Sequence, residues 1–197
     1  MYGCGGMNKK VYKRLKDLIQ TLHEEYGWFN EEELKNTPKR IARFYEEWQR
    51  NQSFKFTLFR KETDQLIVLK NIEFYSLCSH HLLPFFGKVH IGYLPSKKIC
   101  GVSKLARAVV KFASKPQIQE KMTEELADYI FQKLKPKFVM VVVEAQHLCM
   151  LMRGIKQHNS VMVTSAIRVD ESLGKEGGKT LKEEFLNLVK EWKDRKD

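Results

Sequence analysis

The chain has no apolar run approaching the ~18 residues that a membrane-spanning helix requires, and it has no internal repeat or low-complexity tract. Its opening, Met1-Tyr2-Gly3-Cys4-Gly5-Gly6 followed by lysines, lacks the apolar centre of a secretory signal. These absences predict a cytoplasmic protein without membrane contact. Cysteine is scarce. Four in 197 residues are too few for a disulfide scaffold, and Cys4 and Cys100 read as ordinary reduced thiols. Acidic residues are in deficit, 24 Asp and Glu against 35 Lys and Arg, for a formal net charge of +11. That excess suits an anionic partner, either nucleic acid or a phosphorylated small molecule. Many of the lysines recur at the two ends, however (Lys9, Lys10, Lys13 and Lys16; Lys190, Lys193 and Lys196), where a solvated helix face accounts for them.

What is present suits one globular domain with a sizeable core, since 43% of the residues are hydrophobic. Val11, Leu15, Leu18, Ile19, Leu22 and Tyr26 recur at helical spacing and predict an amphipathic helix ending at Gly27. Asn30 with Glu33 reads as a capping box for a short helix, and Thr37-Pro38 as the start of another with Ile41, Phe44, Tyr45 and Trp48 buried. From Leu66 the pattern turns to strands. Ile72, Phe74 and Ser76 alternate with Glu73, Tyr75 and Leu77, and Val89, Ile91 and Tyr93 with Lys88, His90 and Gly92, which makes His90 a solvent-face or cross-strand histidine and not a ligand. Ser103 is a plausible N-cap for a helix carrying Leu105, Val109, Phe112 and Ala113 inside, and a second helix runs from about Gln117 to Pro136. Residues 138–143 are a buried strand, 160–167 its partner, and Leu181, Phe185, Leu188, Val189 and Trp192 a last amphipathic helix. Strand pairs alternating with helices predict the α+β class.

The chemistry concentrates in Cys78-Ser79-His80-His81-Leu82-Leu83-Pro84-Phe85-Phe86-Gly87. Cys78 and His81 stand in a C-x-x-H relation that lets a tight turn bring both to one metal ion. A third donor lies at the end of the buried strand, where His147 and Cys149, at i and i+2, are expected to point the same way. With Cys78, His81 and Cys149 as ligands, the fourth position falls to water, the open arrangement of a catalytic zinc. With His80 or His147 in that position the site is closed and structural. Lys104 and Arg107 project from the start of a helix, where free N–H groups make a natural phosphate site.

Several stretches carry a resemblance to a known family. Phe74-Tyr75-Ser76-Leu77-Cys78-Ser79-His80-His81, Gly101-Val102-Ser103-Lys104-Leu105, Pro116-Gln117-Ile118-Gln119-Glu120 and His147-Leu148-Cys149-Met150-Leu151-Met152-Arg153-Gly154 closely resemble GTP cyclohydrolase I. Thr164-Ser165-Ala166 and Thr37-Pro38-Lys39-Arg40-Ile41-Ala42 fit the same pattern, and the likeness spans roughly residues 8 to 192. Four motifs in register are far more specific than any one.

The resemblance implies a tunnelling fold, an antiparallel four-stranded sheet with helices on one face, over residues 61–197, preceded by a helical extension over 1–60. It implies a homodecamer of two pentameric rings and conversion of GTP to 7,8-dihydroneopterin triphosphate and formate, the first step of pterin and folate biosynthesis. It also implies one zinc ion per subunit on Cys78, His81 and Cys149, with His147 and His80 as proton-transfer residues. Gln119 and Glu120 would read guanine. Ser103 would act in catalysis beside the ribose, and Lys104, Arg107 and Arg153 would bind the triphosphate with Arg40 from a neighbouring subunit. Three positions depart from the family pattern: Ser79 stands where glutamate is usual, Met162 where threonine is usual, and Val169-Asp170 replaces a glycine turn. Rival readings are a non-catalytic member of the same fold, a basic zinc module for nucleic acid, and a related tunnelling-fold enzyme acting on another pterin or a deazapurine. The aromatics predicted in buried stripes, and retention of both histidines and the Gln119-Glu120 pair, favour the GTP enzyme.

Overall fold

The computed structural model describes residues 8–50 and 53–190. Cys4, Trp192, Lys193 and Lys196 lie outside the described residues. The chain divides into two compact units, Met1–Asn51 and Gln52–Asp197. The first is a pair of packed helices, α1 (Lys9–Tyr26) and α2 (Glu31–Arg50). The Asn8 side chain caps α1 by accepting from the N–H groups of Lys10 and Val11, both at 3.1 Å. Gly27, in the left-handed region at φ 66°, closes the other end by donating to His23 O. The capping box forms as expected, with Asn30 N–H to Glu33 Oε2 at 2.9 Å and Glu33 N–H to Asn30 Oδ1 at 3.0 Å.

The predicted break at Thr37-Pro38 does not occur, and α2 runs through Pro38. A proline inside a helix forfeits one main-chain bond, whereas ending there would leave several carbonyls and N–H groups unpaired at two new termini. Because the helix is continuous, its buried positions are Pro38 and Ala42, and Phe44 and Tyr45 remain exposed.

The second unit contains β1 (Leu58–Arg60), β2 (Ile67–Cys78), β3 (Pro84–Leu94), β4 (Lys98–Cys100), α3 (Val102–Ala113), β5 (Pro116–Gln117), α4 (Gln119–Leu134), β6 (Phe138–His147), α5 (Leu148–Leu151), β7 (Met162–Val169) and α6 (Gly174–Lys190). β1 and β4 form a small antiparallel pair. The main sheet has the order β5-β2-β3-β6-β7; its four long strands are antiparallel, and the short β5 adds parallel to the end of β2. This is the α+β tunnelling fold, with one addition to the expectation of helices on a single face. Val139, Val141 and Val143 pack with Leu105, Val109, Met122 and Leu126 of α3 and α4, whereas Phe138, Met140 and Val142 pack with Phe185 and Val189 of α6 on the opposite face. A strand with cover on both sides reads as an unbroken apolar run, as β6 does. Gly92 makes room for α6, since a Cβ there would meet the Phe185 ring at 2.4 Å.

His90, expected as a solvent-face or cross-strand histidine, is the cross-strand kind and is buried at 1% exposure. It pairs with Val142 of β6 and shares the sheet face of Gly92, the face that α6 covers, and at the β2 bulge between Leu69 and Ile72 Asn71, at φ 57°, directs its N–H to His90 Nδ1 at 3.4 Å. α3 starts two residues earlier than Ser103 implied, with Gly101 at the N-cap position and no side-chain cap, so Ser103 sits exposed inside the first turn. Gln117 belongs to β5, and α4 starts at Gln119. Among the described residues no helix is long and apolar enough to cross a membrane.

Candidate metal centre and active site

The turn after β2 is made by the main chain. Cys78 N–H donates to Leu83 O at 2.8 Å, and Cys78 O accepts from Leu82 N–H at 2.8 Å and His81 N–H at 3.3 Å. Closing so tight a turn puts Leu82 at φ 53°, a left-handed conformation that a branched side chain seldom takes. Ser79 N–H is tied to Gln117 O at 3.0 Å, which anchors the turn to β5. As a result Cys78 Sγ lies 3.9 Å from His81 Nδ1 and 3.6 Å from His80 Nδ1.

The second cluster reaches this turn by a different route from the one expected. β6 ends at His147, and Cys149 lies on the single helical turn of α5, so strand alternation does not relate the two side chains. The helical turn brings Cys149 to the metal loop and leaves His147 on the sheet. Gly87 allows the approach of β3 and β6, because a Cβ there would stand 1.9 Å from Glu144 O. Donor atoms of Cys78, His81 and Cys149 all lie within 4.8 Å of one another. Two donors on one tetrahedral zinc stand about 3.5–3.8 Å apart, given bonds of about 2.0–2.3 Å, so two sulfurs and an imidazole at this spacing fit such an ion. Neither His80 nor His147 belongs to that mutually close group. Burial, then the neighbouring Cys78 sulfur, push the Cys149 thiol above its usual range, and Arg153 acts in the opposite sense. A cation among these groups would reverse that sign for Cys149.

His147 is half-buried and stacks on Phe85 at 4.6 Å between ring centres with only 5° between planes, a consequence of the Phe85–His147 pairing of β3 and β6. Its Nε2 is 2.8 Å from Gln119 Oε1. Burial lowers its pKa from the ordinary histidine range, and the Glu120 carboxylate partly offsets this. Gln119, expected beside Glu120 at the base edge, is turned inward. It is 1% exposed, and its amide nitrogen lies 3.0 Å from Met162 O and 3.1 Å from both Val143 O and Thr164 Oγ1. Glu120, the next residue of α4, is exposed. On α3, Ser103 and Arg107 are exposed and Lys104 is half-buried; Arg153 is exposed in the turn after α5. Arg40 lies on α2, in the first unit. Sequence reasoning missed Phe85, Thr123 and Thr164, whose roles depend on strand register and helix placement. The Thr164 motif was visible, but not its contact with Gln119.

Fold and site together define a tunnelling-fold enzyme with a cysteine–histidine–cysteine group able to hold a metal. The family profile described as GTP cyclohydrolase I matches residues 11–190. Three proteins called GTP cyclohydrolase 1 are similar over nearly their whole lengths. The one from Aquifex aeolicus is 48% identical, covering 90% of this chain and 96% of the relative. Those from Wolinella succinogenes and Hydrogenobaculum sp. are 48% and 43% identical, each covering 93% of this chain and 98% of the relative. The chain belongs to the GTP cyclohydrolase I family and is a hydrolase.

Proposed function

We propose that the protein holds one zinc ion on Cys78, His81 and Cys149 and converts GTP to 7,8-dihydroneopterin triphosphate and formate. The observation that carries this reading is the three-donor group beside His147, a proton-transfer histidine held outside the donor set. When bound, the ion supplies Lewis acidity and makes a water nucleophilic near neutral pH, as hydrolysis at C8 of the purine requires. His147 exchanges a proton at purine N7, and His80, on the exposed turn, serves proton transfers around the opened ribose. Glu120 accepts from the N1–H and the exocyclic amine of guanine. Ser103 contacts the ribose; Lys104, Arg107 and Arg153 bind the triphosphate, with Arg40 contributed by another copy.

Family membership supports the same reading for the rest. The chain works as a decamer of two pentameric rings in the cytoplasm, at the entry to pterin and folate biosynthesis, with α1 and α2 as its helical extension. The test is incubation of zinc-loaded protein with GTP, following dihydropterin absorbance and formate. Formate and dihydropterin in equal amounts are expected; fully loaded protein that produces neither overturns the reading.

A further inference from the structure

The hydrogens around Gln119 can be placed from geometry. Its amide nitrogen faces two main-chain carbonyls, Met162 O at 3.0 Å and Val143 O at 3.1 Å, which can only accept. Exchanging the two ends of the amide would set Oε1 against both carbonyl oxygens with no hydrogen among the three. The nitrogen end is therefore fixed, and Oε1 is the atom 2.8 Å from His147 Nε2. An amide oxygen can only accept, so Nε2 carries the hydrogen.

Two hydroxyls complete the pattern. Thr123 Oγ1 donates to Gln119 O at 2.8 Å, which uses its hydrogen. In the 2.6 Å contact between Thr123 and Thr164 the donor is then Thr164, leaving a lone pair on Thr164 Oγ1 for the Gln119 amide at 3.1 Å. The two amide hydrogens of Gln119 are shared among these three acceptors, and every way of sharing them holds the amide the same way round.

We propose that Gln119 is a positioning residue that fixes His147 in its Nε2–H tautomer and makes Nδ1 the nitrogen that exchanges protons with substrate. The Phe85 stack sets the plane of the ring, and the amide sets its rotation and hydrogen placement. A neutral acceptor also orients the ring without adding charge beside the metal group.

The substrate half of this proposal rests on the function proposed above; the tautomer does not. The zinc-loaded protein labelled with 15N-histidine is read by magic-angle-spinning NMR, with His147 assigned by difference from His147→Asn. A protonated Nε2 hydrogen-bonded to Gln119 and an unprotonated Nδ1 are expected; a protonated Nδ1 with a bare Nε2 overturns the proposal. In steady-state kinetics Gln119→Met lowers kcat by on the order of 100-fold with KM for GTP nearly unchanged, the scale of a misdirected acid/base group. Gln119→Glu, whose protonated carboxyl can donate to one carbonyl and still accept from Nε2–H, recovers part of kcat. A raised KM with unchanged kcat in Gln119→Met overturns the positioning role in favour of substrate contact. The wild-type spectrum decides the tautomer even if a variant does not fold, and a protein that fails to use GTP defeats the proposed function while leaving that spectrum readable.

Discussion

The two halves of the metal centre are held by different means. The turn carrying Cys78, His80 and His81 is a main-chain construction, closed by the carbonyl and N–H of Cys78 and the N–H of Ser79, and its side chains at 79–82 are exposed. The half carrying His147 is a side-chain construction, in which Phe85 of β3, Gln119 and Thr123 of α4 and Thr164 of β7 hold one another and the ring. A frame of main-chain bonds survives most side-chain changes. A frame of buried polar side chains does not, because each partner removed leaves another unsatisfied at about 1–3 kcal/mol. Ser79, the departure closest to the centre, falls in the tolerant half.

The largest expected effect is at the joint between the halves. Cys149→Ala removes the donor that α5 carries to the turn, leaving two protein ligands for the ion. Metal content measured by atomic emission after dialysis should fall to background, and formate release with it, because two donors do not hold zinc. Retained activity in a metal-free variant would break the comparison at its root.

Glu120→Gln probes the outer rim of the His147 half. A carboxylate accepts from both guanine donors, whereas an amide presents one acceptor and one mismatched donor. The expected loss is about 2–4 kcal/mol in transition-state binding, or roughly 30- to 1000-fold in kcat/KM. Unchanged kinetics would show that guanine is read elsewhere. The substitution also has a pH signature. Burial already holds the His147 pKa below its ordinary 6.5, and Glu120 is the charge that raises it, so the acid limb of the rate profile should move to lower pH when that charge is removed. The linkage sign is the same for stability: below about 6.5 the unfolded chain takes up a proton that folded His147 resists, so this group costs stability as pH falls. A limb that moves upward would contradict the assigned charge relation.

GTP should also stabilise where guanosine does so less, if the α3 cations and Arg153 receive the phosphates. At a hundredfold excess over Kd the linkage is worth about 2.7 kcal/mol, read as a rise in Tm. Equal shifts with the two ligands would remove the phosphate role from Lys104, Arg107 and Arg153.

The same division explains what could be read from the residues alone. Cys78 and His81 were legible because three positions in one turn settle their proximity locally, and the capping box at Asn30 and Glu33 was legible for the same reason. The alternation of β2 and β3 gave the class of fold. The inward turn of Gln119 was not legible, since it depends on α4 lying where the Val143 and Met162 carbonyls converge, and no periodicity carries strand register. His90 was legible as a cross-strand histidine but its burial was not, since that depends on α6 covering its face of the sheet. Cys149 was assigned to the right centre through the wrong geometry, a strand in place of a helical turn, since four residues are too few for a helical period to declare itself.

The smallest effect is expected where the chain departs from its family. Ser79→Glu puts a carboxylate beside His80 on an exposed turn. The bond from residue 79 to Gln117 O is made by the main-chain N–H and does not depend on the side chain, so the turn keeps its shape. A new charge in solvent near a cation is worth about 0–1 kcal/mol, less than a factor of about five in affinity. Chelator competition should therefore find zinc affinity changed by no more than that, and kcat by less, in contrast to the effect of on the order of 100-fold expected for Gln119→Met. A gain in kcat of that larger size from Ser79→Glu would mean that the exposed turn is governed by its side chains after all, and that serine at this position sets the rate of this enzyme.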